Sequence, residues 1–234
     1  VPLQPRRTVE ELRELQELTG DEDGAQRVAW TETWERAREW LRGKVAETGA
    51  EESVDAAGNQ WFTLRGGVDR AVLIGGHIDS VPNGGWLDGA LNVMAGVEVL
   101  RRIAADGSPL VTVRLVNWAD EEGARFGRSL FGSSAASGSM ADQDELRGRT
   151  DAAGIALADA LRQHAVDLDS ALDARSELEG AAAYLELHIE QGPVLEAMDL
   201  PLGVVLGTFG VERHQVTFRG QAAHAGSTPM DKRR

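Results

Sequence analysis

Imidazole and carboxylate groups recur in five short segments, and together they suit metal-assisted hydrolysis. Gly75-Gly76-His77-Ile78-Asp79-Ser80 sets a histidine directly after an apolar run, where two glycines let the chain turn toward a crevice. Asp79 can accept the second imidazole N–H, which fixes the tautomer and raises ligand basicity. Asp88 stands between Leu87 and Gly89 at the mouth of the next expected helix. Its two oxygens can bridge two cations or simply cap that helix. In Asp120-Glu121-Glu122-Gly123, one carboxylate can bind metal while its neighbour takes a proton from water. His188, in Glu186-Leu187-His188-Ile189-Glu190-Gln191-Gly192-Pro193, falls in an apolar stretch where an unpartnered imidazole is costly. Gln191 offers both a donor and an acceptor to a planar urea or amide. The last segment sets His224 among small residues with Ser227 and Thr228 behind it. Each segment also has a plain structural reading: a strand-end histidine bonded to backbone, an N-cap aspartate, a glycine-rich turn. The acidic run is weak evidence alone in a chain with 38 Asp and Glu.

These groups must be carried by particular elements. QWFTLR, AVLIGG and LVTVRLVNW read as strands, the last two apolar enough to be covered on both faces. Between the last two, DGALNVMAGVEVLRRIAADG reads as a largely buried helix closing at Gly107. Strand, helix, strand is a crossover unit and implies an α/β sheet, in which sites form at the carboxyl ends of strands. Thr8-Val9-Glu10-Glu11 has capping-box spacing ahead of Leu12, Leu15 and Leu18. After a break over 20–24, a second helix is expected over about 25–47, with Trp30, Trp34 and Trp40 as a packing stripe. Residues 129–176 read as helix and loop, AAYLELHI as a further strand, and GVVLGTFG and VERHQVTFRG as two more. His164 reads as a helix-surface residue and His214 as a strand residue, neither with an assigned role.

Composition narrows the classes. The 234 residues can bury one large core, and with no cysteine there is no disulfide, thiolate metal site or cysteine nucleophile. A net charge of −14 makes nucleic acid a poor partner. No stretch approaches the roughly 20 apolar residues of a membrane span. The opening VPLQPRRTVEELRELQEL lacks the apolar core of a secretory signal, and the absent Met suggests a start that is trimmed or not recorded. The expected compartment is the cytoplasm.

GGHIDSVPNGGWLDGALNVMAGVEVL, NWADEEGARFGRSLFGS, ELHIEQGPVLE and GQAAHAGSTPMDKRR, in that order, resemble the hydantoinase/carbamoylase family of amidohydrolases. That family lies in a wider di-metal superfamily with carboxypeptidase G and aminoacylase. The resemblance runs from about residue 70 to the end, and HIEQGP gives it family-level weight, because peptidase relatives usually carry an acidic ligand where His188 stands. It implies two divalent metal ions, zinc by default, with manganese, cobalt or nickel as alternatives. His77 and His188 would bind the first, Asp88 would bridge both, and Glu122 would bind the second. Glu121 would be the general base, Gln191 would meet the carbamoyl or ureido end, and His224 would hold the substrate and its developing oxyanion. Asp79 would support His77 from behind.

Two substitutions depart from the pattern: Asp120 stands where the family commonly has Asn, and Trp86-Leu87 replaces a commoner Arg/Asn-Tyr/Phe pair. A carboxylate at 120 close to Glu121 should raise the pKa of one of them. The family also continues beyond DKRR, so a C-terminally truncated chain is expected, lacking a last histidine ligand and the Arg and Asn that grip the substrate carboxylate.

The expected fold is α/β: a mixed, mainly parallel sheet flanked by helices, of the di-zinc exopeptidase kind. Residues 1–209 would form an incomplete catalytic domain, and 210–234 would begin a small α+β dimerisation (lid) domain. The expected activity is hydrolysis of carbamoyl or ureido C–N bonds in a small molecule, N-carbamoyl-L-amino acid or allantoate, by a homodimer when full length. The alternatives are an aminoacylase or metallopeptidase of the same superfamily, an inactive metal-binding fragment, and a binding module that kept only the fold.

Overall fold

Proline at the first helical position starts α1 (Pro5–Thr19), where its fixed φ suits the helix and its missing N–H is no loss. The helix therefore begins ahead of the expected capping box. Thr8 and Glu11 lie inside it and are buried, and Glu11 takes a bidentate bond from Arg101 at 2.7 and 2.8 Å. The computed structural model describes residues 2–140, 143–207, 210, 216–217 and 219–234. The break after α1 is a small hairpin, β1 (Gly20–Asp21) and β2 (Gly24–Ala25). Helix α2 (Glu32–Ala46) begins later than expected. Thr31 caps it by accepting the Trp34 N–H at 3.4 Å, and Trp30, at φ +62°, stands outside it. Trp30 and Trp34 are buried edge to face at 4.8 Å, as a packing stripe requires, while Trp40 is only partly buried.

The remaining elements of the first part are β3 (Glu51–Val54), β4 (Gln60–Leu64), β5 (Ala71–His77), α3 (Ala90–Ala104), β6 (Thr112–Trp118), α4 (Phe131–Ser137), α5 (Gln143–Arg147), α6 (Leu157–Gln163), a 3-10 helix (Ala171–Leu178) and β7 (Ala181–Leu185). One five-stranded sheet has the order β3-β4-β6-β5-β7. β4 pairs antiparallel with β3 and β6, while β5 runs parallel to both β6 and β7. The expected mixed α/β fold is therefore present, with its parallel pairing centred on β5. The crossover helix α3 buries Val93, Met94, Val97 and Leu100 on the sheet, and α1 packs over α3. Because β5 and β6 are parallel and in register, His77 opposite Trp118, their carboxyl ends open side by side.

Contacts divide the chain into two compact units, 1–189 and 190–234. The boundary expected at 209/210 lies inside the second unit, and residues 208–209 and 211–215 beside it are outside the described residues. The second unit has a short helix, α7 (Val194–Ala197), and a 3-10 turn (Met230–Lys232). Residues 203–207 of the expected strand GVVLGTFG are exposed and carry no strand. The strand expected over VERHQVTFRG, with His214, falls largely outside the described residues. Among the described residues, no helix is long and apolar enough to cross a membrane.

Candidate active site

His77 is the last residue of β5 and is 3% exposed. Its Nδ1 lies 3.1 Å from the backbone oxygen of Asp79 and 3.5 Å from Asp79 Oδ1, so the ring is held from behind. Nε2 faces outward, 3.6 Å from Glu121 Oε2. Burial would push this imidazole down, but the hydrogen bond to Asp79 and the charges of Asp79, Glu121 and Glu122 outweigh it and lift the pKa to about 9. Gly89 closes over the ring at φ +63°, and a Cβ there would stand 2.5 Å from both ring nitrogens. Only glycine permits both that backbone and that approach.

The acidic turn after β6 is fixed from both sides. Asp79, 1% exposed, accepts the N–H of Glu121 at 3.3 Å and of Glu122 at 3.1 Å through its two oxygens. The carbonyls of Ala119, Asp120 and Glu121 accept from Gly132, Phe131 and Leu130 at 2.9, 3.1 and 2.7 Å. Asn59 adds a bond to the Ala119 N–H at 2.9 Å. Asp79 thus serves both strand ends: it orients His77 and sets the height of the turn carrying Glu121 and Glu122. Burial, then the nearby carboxylates, raise the pKa of Glu121 and Glu122 above the usual range, against the opposing charge of His77. Asp120 is buried and accepts from Trp30 Nε1 at 2.8 Å. Burial and the charge of Asp79 push its pKa up to about 7, with Glu121 a smaller contributor.

Asp88 precedes α3 and is partly buried. Its Oδ1 lies 4.0 Å from His188 Nε2. His188 is three residues past the end of β7, not within a strand, and is exposed; its Nδ1 lies 2.6 Å from the Ile189 backbone oxygen, which leaves Nε2 toward Asp88. The structure therefore gathers His77 with Glu121 and His188 with Asp88 as two pairs. Among the described residues, no three His, Asp or Glu side chains converge closely enough to form a complete metal cage. The His188–Asp88 pair is nonetheless spaced beyond hydrogen-bond distance, and imidazole with carboxylate is a donor set that divalent zinc accepts.

Gln191 and His224 belong to the second unit. Gln191 has φ +54°, and His224 Nδ1 accepts the N–H groups of Gly226 and Ser227, both at 3.1 Å, closing the glycine-rich turn.

Residues that carried no signal in the sequence complete the surroundings. Arg27 is fully buried and donates Nε to the Ile78 oxygen at 2.7 Å; its backbone N–H donates to Ser80 Oγ and its carbonyl accepts the Ser80 N–H, both at 3.0 Å. Burial lowers its pKa to about 10, against the charges of Asp79 and Asp88. It is a buried cation under an acidic cluster. A cavity of about 430 Å³ opens beside Glu121, lined among others by Leu73, Trp118, Ser133, Ser137 and Glu186.

The model of peptidase family M20/M25/M40 matches residues 73–230, and the chain belongs to that family. Its members are generally dependent on divalent metal ions. The chain is 40% identical over 238 residues to an N-carbamoyl-L-amino acid amidohydrolase of Geobacillus stearothermophilus, covering 99% of this chain and 57% of that protein. It is 37% identical to the allantoate amidohydrolase of Escherichia coli (strain K12), covering 90% of this chain and 51% of that one. A crystal structure of a hydantoinase/carbamoylase family amidase from Burkholderia ambifaria superimposes with a TM-score of 0.75 at 32% identity, over 99% of this chain and 56% of the other. The chain thus spans about half the length of the curated relatives it matches.

Proposed function

We propose that this chain is most of the metal-binding half of an amidohydrolase that cleaves carbamoyl or ureido C–N bonds, with N-carbamoyl-L-amino acids or allantoate as the substrate class. The observation that carries this reading is the meeting of His77 and Glu121, 3.6 Å apart, at the adjoining ends of two parallel strands. Likeness to amidohydrolases of both substrate types supports it.

In this reading His77, His188, Asp88 and Glu122 hold two divalent cations, zinc by default, with manganese, cobalt or nickel as alternatives. When bound, such ions supply Lewis-acid polarisation of the scissile carbonyl and help to activate water. The chain's own groups do the rest. Glu121, its pKa already raised, takes a proton from the attacking water and returns it to the leaving nitrogen. Asp79 holds His77 in one tautomer with Nε2 outward. Gln191 meets the carbamoyl end of the substrate, and His224 holds the substrate and its developing oxyanion. Residues 210–234 begin a dimerisation domain, and the whole protein works as a cytoplasmic homodimer; the absence of cysteine is compatible with that compartment.

A second reading, a chain that binds metal weakly and turns nothing over, is favoured by the lack of a three-donor cluster among the described residues. A peptidase or aminoacylase is the other enzymatic reading within the family. Metal content of the purified, dialysed chain, measured by mass spectrometry alongside turnover of N-carbamoyl amino acids, allantoate and N-acyl amino acids, separates the three. Bound metal with ammonia release supports the proposal. Substoichiometric metal with no turnover supports the weak-binding reading, and N-acyl turnover alone supports the aminoacylase.

A further inference from the structure

Glu186 stands two residues ahead of His188, and its carboxylate is gripped from two directions. Asn92 Nδ2 donates to Oε1 at 2.9 Å, and the Tyr184 hydroxyl donates to Oε2 at 2.6 Å. That hydroxyl in turn accepts from Trp118 Nε1 at 2.9 Å. A polar chain therefore runs from the last residue of β6, across the end of β7, to the first turn of α3.

The segment it crosses has little else to hold it. All five residues of β7 are exposed. The strand pairs with β5 only as far as Ile74–Leu185, with a register irregularity between Ala71 and Val72. Past Leu185 the ladder stops, yet His188 must be brought opposite Asp88. Asn92 is well placed to do this, because it is the third residue of α3, whose N-cap, Gly89, directly follows Asp88. It is 3% exposed, and its Cβ packs so tightly on Gly76 that a Cβ on that glycine would come within 2.5 Å. Asparagine is a modest helix former, and a buried amide needs a partner. The Glu186 carboxylate is that partner.

We propose that Asn92 and Glu186 are positioning residues for His188: their hydrogen bond fixes residues 186–188 so that His188 Nε2 faces Asp88. The proposal rests on the reading of His188 as a metal ligand, and its test separates the two.

Zinc affinity of the chain is measured by chelator competition, and the visible absorption of the cobalt(II)-loaded chain reports ligand geometry. The variants are Asn92→Ala, Glu186→Ala, Glu186→Gln and His188→Ala, with Asn92→Ala and Glu186→Ala each also combined with His188→Ala. Asn92→Ala and Glu186→Ala are expected to weaken zinc about 10–100-fold and to alter the cobalt spectrum. Glu186→Gln is expected to stay near wild type, because its amide oxygen still accepts from Asn92 and its NH₂ can donate to the Tyr184 oxygen. In the His188→Ala background the same two changes should add nothing, whereas a general effect on the fold would add in full. Wild-type affinity in both alanine variants, or full additivity with His188→Ala, overturns the positioning role while leaving the metal reading intact. No zinc binding by wild type, or none lost in His188→Ala, overturns the metal reading of His188 and the positioning role with it. Should Asn92→Ala fail to fold, the exposed Glu186 variants decide the matter alone.

Discussion

Asp79 Oδ2 accepts the backbone N–H of Glu122 at 3.1 Å, so the residue two places after His77 also anchors the neighbouring strand's acidic turn. One buried carboxylate couples the two halves of the candidate centre. Asp79→Ala should therefore do more than free an imidazole. It leaves two backbone donors without their charged acceptor, and bonds to charged groups contribute about 1.5–3 kcal/mol each. The expected result is a loss of roughly 2–4 kcal/mol in urea unfolding together with weaker zinc binding. Unchanged unfolding would show that the turn is held by the carbonyl bonds to residues 130–132 alone.

Gly89→Ala tests the closure over His77. Gly107→Ala is the control, since Gly107 also has positive φ, at +98°, but nothing lies within 4 Å of a Cβ there. Both changes carry the backbone strain of an L-residue at positive φ, about 1–3 kcal/mol. Gly89→Ala should lose more stability than the control and should also lose metal affinity, which the control keeps. Equal losses of stability with intact metal binding in both would mean that the His77 ring moves aside without consequence.

Asp120 gives a prediction with a pH sign. Its folded pKa, about 7, lies above the ordinary aspartate value of about 3.9. The folded state therefore holds a proton that the unfolded state releases. Stability from this group is fully present below about pH 3.9 and is lost as pH rises through about 7. Asp120→Asn keeps an acceptor for Trp30 Nε1 and removes the titration. It should be more stable than wild type at pH 8 by roughly 1–3 kcal/mol, with the gap closing by pH 4. Thermal melts across that range check it, and a gap independent of pH would point to packing instead.

Glu121→Gln should leave metal content unchanged and reduce carbamoyl turnover about 10²–10⁴-fold in an active form of the protein, the range of a lost general base. If metal content falls instead, Glu121 is a ligand, a result its 3.6 Å approach to His77 Nε2 would accommodate.

The sheet centre was legible because β5, α3 and β6 announce themselves locally: two apolar runs around an amphipathic crossover. β3 was not, because Glu-Glu-Ser-Val lacks an apolar pattern and owes its form to pairing with β4, reinforced by the ion pair of Glu51 with Arg65 and that of Glu52 with Arg42. The capping-box spacing at Thr8 points to a later start for α1 than the one observed, because proline at position 5 is itself a good first helical residue. Hydrophobic context places His188 in a strand, but β7 ends at Leu185. Within the candidate site, Asp79 beneath His77 follows from two-residue spacing. The Asn92–Glu186 contact spans 94 positions, and buried Arg27 meets Ile78 across 51, so neither leaves a local trace.

The in-register pairing of His77 with Trp118 also has a kinetic side. The His77–Glu121 and Asp88–His188 pairs each join residues far apart in the chain, and parallel pairings close large loops before they are rewarded. A slip of one residue between β5 and β6 would turn His77 to the opposite face of the sheet. The chain should therefore acquire its affinity for cations late in refolding, after the bulk of its helix has formed, and a burst of helical signal that precedes zinc uptake would be its signature.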